Sequence, residues 1–104
     1  MDRVIQEKIK RNIIMTEVIN SKVENYAAGF TSSTDELLKE IEDYTMQNHP
    51  HSIMLSGPVQ GKLLEMISYM IRPEKILEIG TFMGYSALCL AKGLRPGGEL
   101  HTLE

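Results

Sequence analysis

The sequence predicts an α/β fold in which N-terminal helices lead into one βαβ unit, the opening of a larger domain. Three observations predict it. Apolar residues recur at helical spacing through most of residues 1–72. A short apolar run, Lys75–Ile79, ends at a glycine, as a strand of a buried parallel sheet does. An alternating polar and apolar run, Glu99–Glu104, follows one further helical segment, and strand, helix and strand within about 30 residues make a right-handed βαβ unit.

The first element is a helix over about 3–27. Val4, Ile5, Ile9, Ile13, Ile14, Val18, Ile19 and Val23 recur at helical intervals, with Gln, Glu, Lys and Arg on the opposite face. Gly29 stops it, and Thr31-Ser32-Ser33-Thr34 reads as a loop. Ser33 is the expected N-cap of a second helix over about 34–47, with Glu36 completing a capping box. That helix carries Leu37, Leu38, Ile41 and Tyr44 inward and ends before His49-Pro50, because proline disfavours the α region for the residue before it. Ser56, Gly57 and Pro58 open a third helix over about 57–72, with proline in the first turn, where its missing N–H is not needed. Leu63, Leu64, Ile67, Met70 and Ile71 form its expected buried stripe, and Pro73 closes it. Residues 1–72 are thus a helical region, and 73–104 begin the sheet domain. There Lys75–Ile79 is a strand, Gly80–Gly84 a turn and Tyr85–Leu94 a helix. Arg95-Pro96-Gly97-Gly98 breaks that helix, and Glu99–Glu104 is the second strand. Two parallel strands alone leave open edges, so this is expected to be the front of a larger domain.

Composition narrows the functional classes. The 104 residues carry 11 Lys+Arg against 14 Asp+Glu, a net charge of −3, with 42% hydrophobic residues, too many for a disordered acidic tail. No basic block suits a nucleic-acid backbone. No apolar run reaches the ~20 residues of a membrane span. The charged start, MDRVIQEKIKRN, does not suit a signal peptide. A single cysteine, Cys89, precludes an internal disulfide and fits a reducing, cytoplasmic setting.

The chemistry concentrates in Leu77-Glu78-Ile79-Gly80-Thr81-Phe82-Met83-Gly84-Tyr85-Ser86. Glycines at a strand end let the backbone turn sharply and let a ligand approach without a Cβ in the way. The helix that follows directs its N–H groups and positive dipole end into the same space. The spacing G-x-x-x-G lacks the middle glycine of the dinucleotide fingerprint. Glu78 would stand at the carboxyl end of the first strand, placed to receive an ammonium group. Glu104 lies twenty residues past Gly84, at the end of the second strand, where an acid accepts both hydroxyls of a ribose. Ammonium, carboxylate and ribose occur together in S-adenosylmethionine. The alternative is that Gly80 and Gly84 only make a tight turn.

LEIGTFMGYSALCLAKGL, followed by GGELHTLE and preceded by MLSGPVQGKLLEMI, resembles the small-molecule O-methyltransferases of the caffeoyl-CoA and catechol type, over roughly Leu37 to Glu104. The resemblance implies a Rossmann-like methyltransferase domain, truncated after its first βαβ unit, and a parent enzyme that methylates a hydroxyl of a small, catechol-like molecule. It implies that Glu78 and Gly80 line the methionine end of S-adenosylmethionine, with Phe82 packed nearby. Ser86 would bond the methionine carboxylate, Glu104 would hold the ribose, and Met54 would flank the cofactor. Met83 stands where a Thr or another small residue is common. The family's divalent, magnesium-type metal is held by two aspartates and an asparagine on later strands. No catalytic or metal-binding residue is therefore assigned within this chain, which alone is expected to be inactive.

Other motifs weigh less. Gly57-Pro58-Val59-Gln60-Gly61-Lys62 misses the phosphate-loop spacing and its Ser or Thr. His49 and His51 lack a metal-ligand pattern, though their loop leads into the Met54 segment and could close over a substrate. His101 reads as an ordinary strand side chain, and Cys89 as a small buried hydrophobe. The long N-terminal stripe predicts a homodimer through the first helix. The rival reading is a non-catalytic helical dimerisation or interaction module, which would have no need of acids at both strand ends.

Overall fold

The computed structural model describes residues 3, 4 and 19–104, which fall into two compact units divided between Phe30 and Thr31. Ile5, Ile9, Ile13, Ile14 and Val18 of the N-terminal stripe lie outside the described residues. In the first unit, helix α1 spans Ser21–Gly29. It starts afresh at Asn20, whose backbone (φ −58°, ψ 121°) is not helical and whose side chain accepts the Lys22 N–H at 2.9 Å. The single helix expected over 3–27 is therefore interrupted there. An asparagine oxygen that takes a nearby N–H caps the start of a helix. The rings of Tyr26 and Phe30, one turn apart, sit 4.9 Å from each other.

The second unit holds α2 (Glu36–Asn48), a single 3-10 turn (Ser52–Met54), α3 (Gly57–Ile71), β1 (Lys75–Ile79), α4 (Tyr85–Ala91) and β2 (Glu99–Leu103). The N-cap of α2 is Asp35 rather than Ser33: its Oδ1 accepts the Leu38 N–H at 2.9 Å. Asp35 is preferred because its other oxygen meets the Lys92 ammonium at 2.8 Å, a tertiary partner that Ser33 does not offer. Lys92 also reaches Glu65 at 3.1 Å, and Glu65 meets Lys62 at 3.3 Å, so this network ties the start of α2 to α3 and to the end of α4.

The inward faces differ from those expected. On α2, Leu38, Ile41 and Thr45 face the core while Leu37 and Tyr44 are exposed. Thr45 is tolerated there because its hydroxyl donates to the Ile41 carbonyl at 2.6 Å. On α3 the buried positions are Gly61 and Ser68, with Leu64 partly buried, while Leu63, Met70 and Ile71 are exposed. The reason is the approach of α4. A Cβ on Gly61 would lie 2.8 Å from Cε1 of Tyr85, and one on Gly93 would lie 2.2 Å from the Ser68 carbonyl carbon. The Ser68 hydroxyl donates to the Leu90 carbonyl and accepts the Gly93 N–H. Small residues thus let the two helices meet at backbone distance. Tyr85 and Cys89 of α4 join Leu38 in the core, with Ile41, Leu55 and Leu64 packed against them.

Helix α4 ends at Ala91, short of the expected Leu94, because its last turn tightens: Lys92 and Leu94 donate three residues back, to Cys89 and Ala91. β1 and β2 pair in parallel from Lys75↔Glu99 to Ile79↔Leu103, the βαβ unit that the sequence predicts. The other face of this short sheet is open: Leu77, Ile79 and Leu103 are all exposed, Ile79 by 82%. No helix among the described residues is long and apolar enough to cross a membrane.

Candidate functional site

The carboxyl end of β1 is built by hydrogen bonds that reach across to β2. Gly80 (φ +99°) donates its N–H to the Leu103 carbonyl at 2.6 Å, extending the ladder by one bond, and then turns the chain away in a conformation that side chains resist. Gly84 (φ +81°) closes the turn, donating to the Thr81 carbonyl at 2.8 Å, and starts α4. Between them Phe82 also lies in the left-handed region, at φ +48°. For a bulky residue this costs about 1–2 kcal/mol, which its surroundings must offset.

Two acids stand on this frame. The Glu78 carboxylate accepts the Ser86 hydroxyl at 2.6 Å on Oε2 and the Thr102 hydroxyl at 2.9 Å on Oε1. Thr81 and Thr102 hydroxyls are 2.7 Å apart, and since the Thr102 proton goes to Glu78, Thr81 is the donor. Three hydroxyls therefore orient one carboxylate whose oxygens each keep a lone pair. At the end of β2, Glu104 accepts the Phe82 N–H on Oε2 at 2.8 Å. Among the described residues neither Glu78 nor Glu104 has a Lys or Arg within ion-pair distance.

A pocket of about 60 Å³ opens beside the turn, lined by Met54, Leu55 and Ser56 on one side and by Gly80–Met83, Tyr85 and Ser86 on the other. Small-molecule sites run to ~300 Å³ or more, well above this volume. All six residues singled out in the sequence gather here. Met54, Gly80, Phe82 and Ser86 line the pocket, Glu78 is bonded to Ser86, and Glu104 is bonded to Phe82. Sequence reasoning missed Thr81 and Thr102. Thr102 had a usable signal, since it pairs with Glu78 in register and alternation puts both on one face. His49, at the C-cap of α2, sits edge-to-face on Phe82 with ring centroids 4.8 Å apart. Burial pushes the Tyr85 hydroxyl up to about 12 and raises the Cys89 thiol, so neither is a nucleophile near neutral pH.

The profile of a family described as O-methyltransferase matches residues 28–104. An O-methyltransferase of Aspergillus thermomutatus is 33% identical over 81% of this chain and 36% of its own length. Catechol O-methyltransferase B of Danio rerio is 32% identical over 79% of this chain and 37% of its own. Among solved structures, an SAH-bound methyltransferase of Podospora anserina superposes with a TM-score of 0.73 at 30% identity, covering 81% of this chain and 36% of that one. The O-methyltransferase TomG of Streptomyces achromogenes, in complex with SAM, superposes with a TM-score of 0.63 at 32% identity, over 83% of this chain and 38% of that one. The chain spans a little over a third of the length of these relatives. With its Rossmann-like βαβ unit, the chain belongs to the O-methyltransferase family.

Proposed function

We propose that this chain is the cofactor-binding front of an enzyme that moves a methyl group from S-adenosylmethionine to a hydroxyl of a small, catechol-like molecule. The observation that carries the reading is the pair of carboxylates, Glu78 and Glu104, held at the ends of adjacent strands beside a glycine turn with no cationic partner among the described residues. Glu78 receives the ammonium on its remaining lone pairs. Glu104, with Oε2 fixed by Phe82, offers Oε1 to the ribose hydroxyls. Gly80 lets the methionine portion close on the backbone, Phe82 and Met54 flank it, and Ser86 is within reach of its carboxylate. S-adenosylmethionine supplies the electrophilic methyl when bound; these residues contribute orientation, which alone lowers such barriers substantially. Among the described residues no group of three or more His, Cys, Asp or Glu could hold a metal ion.

The test is a titration of S-adenosylhomocysteine into the isotope-labelled chain, followed by NMR. Amides of Gly80–Ser86 and of Glu104 shift if the reading is right. Absence of any shift there at millimolar ligand overturns it. The chain alone is inferred to be inactive, and appearance of a methylated catechol in an assay would correct that.

We also infer that the enzyme is cytoplasmic and that two copies associate through the N-terminal stripe. Ile19 and Val23, its best-placed described members, are 57% and 61% exposed. Sedimentation at micromolar concentration reads the state, and a monomer there counts against association.

A further inference from the structure

We propose that His49 is a positioning residue, whose ring holds Phe82 in the left-handed conformation that fixes Glu104. The inference rests on the reading of Glu104 as the ribose acceptor. Phe82 at φ +48° occupies a backbone region that bulky side chains avoid, so something outside the turn must hold it there. The turn's own hydrogen bond runs from Gly84 to Thr81 and leaves the Phe82 side chain to its neighbours. The one ring that meets it among the described residues is His49, at 4.8 Å and 83°, the edge-to-face geometry that aromatic pairs favour.

His49 is itself fixed from two directions. Its backbone N–H donates to the Thr45 carbonyl at 2.9 Å, closing the end of α2, and Thr45 is fully buried. Its Nδ1 accepts the His51 N–H at 3.0 Å, which sets the ring rotamer and leaves the proton of the neutral imidazole on Nε2. The Phe82 N–H, aimed by the strained backbone, then holds Oε2 of Glu104 at 2.8 Å. A mechanical path thus runs from the buried end of α2, through one ring contact, to an acid at the end of β2. It gives His49 a role in cofactor affinity without itself touching the cofactor.

Three substitutions test this. His49→Phe keeps the ring and loses the Nδ1 acceptor, His49→Asn keeps an acceptor and loses the ring, and His49→Ala loses both. Each is read by Phe82 amide hydrogen exchange in the ligand-free chain, by the dissociation constant for S-adenosylhomocysteine, and by Tm. The coupling that an edge-to-face pair carries corresponds to about a fivefold change in each equilibrium. His49→Ala and His49→Asn should therefore speed Phe82 exchange and weaken binding by about that factor, while His49→Phe stays within about twofold of wild type on both. A merely structural role would lower Tm in all three and leave the exchange and affinity of the folded protein alone. Wild-type behaviour in His49→Ala, or failure of His49→Phe to rescue, overturns the proposal. The exchange measurement decides the ring contact by itself, and the wild-type titration separately decides the cofactor reading.

Discussion

The Ser68 hydroxyl accepts the Gly93 N–H at 3.1 Å while donating to the Leu90 carbonyl, so α3 grips the end of α4 by its backbone. This grip sets the tilt of α4, and α4 carries the last glycine of the Gly80–Gly84 turn at its start. Gly93→Ala would put a Cβ 2.2 Å from the Ser68 carbonyl carbon, where only backbone movement relieves the clash. A loss of about 3 kcal/mol in unfolding free energy is expected. Gly61→Ala meets a ring edge and a thiol at 2.8 and 3.0 Å and should cost less, about 1–2 kcal/mol. Chemical denaturation ranks the two, and the reverse order would show that the helix pair gives way at Ser68.

Tyr85 is 1% exposed and its hydroxyl has no hydrogen-bond partner among the described residues. An unsatisfied buried hydroxyl costs about 1–3 kcal/mol, so Tyr85→Phe should be at least as stable as wild type and gain about 1 kcal/mol. A loss of stability in thermal unfolding would mean that the hydroxyl is satisfied in solution.

The Lys92 ammonium, by its hydrogen bond and then with help from the Leu38 N–H, holds the Asp35 carboxyl below its usual 3.8. A carboxyl lowered in the folded state adds stability above its unfolded pKa and loses it as pH falls through the folded one. Unfolding free energy should therefore decline below about pH 4. Lys92, raised chiefly by the hydrogen bond to Asp35, contributes below its unfolded 10.5 and loses that contribution at higher pH. Lys92→Met should cost about 1 kcal/mol at neutral pH and flatten the acid limb. An unchanged acid limb in pH-dependent denaturation would count against the pair.

Glu104→Gln removes the negative charge but keeps an acceptor. It should weaken S-adenosylmethionine binding by about 1–3 kcal/mol, the worth of hydrogen bonds to a charged group. Calorimetry on the two proteins under one buffer checks it, and equal affinities would remove Glu104 from the ribose role.

How far the sequence discloses this architecture depends on how local each signal is. β1 is found at Lys75–Ile79 because Pro73 and Gly80 bracket it, and the acids at the ends of both strands follow from where the strands stop. The cap of α2 is less local. Ser33 and Asp35 are both competent, and Lys92, far along the chain, favours Asp35. The buried face of α3 misleads for a related reason. Periodicity marks Leu63, Met70 and Ile71 as apolar, but a helix met at backbone distance buries its smallest residues, Gly61 and Ser68. The contact of His49 with Phe82 joins two irregular segments, and no spacing in the sequence announces it.

The hydrogen bonds from Gly80 to Leu103 and from Phe82 to Glu104 have a consequence for the order of biosynthesis. The turn emerges from the ribosome first, yet its partners are encoded about twenty residues later. At ~5–20 residues per second that interval lasts on the order of seconds, long compared with helix formation and loop closure. Throughout it, Gly80 and Phe82 have no acceptor from β2, and Phe82 has only the His49 ring to hold its backbone. The helices can fold as they appear. The Gly80–Gly84 turn must wait for β2, and so becomes the last part of this segment to take shape.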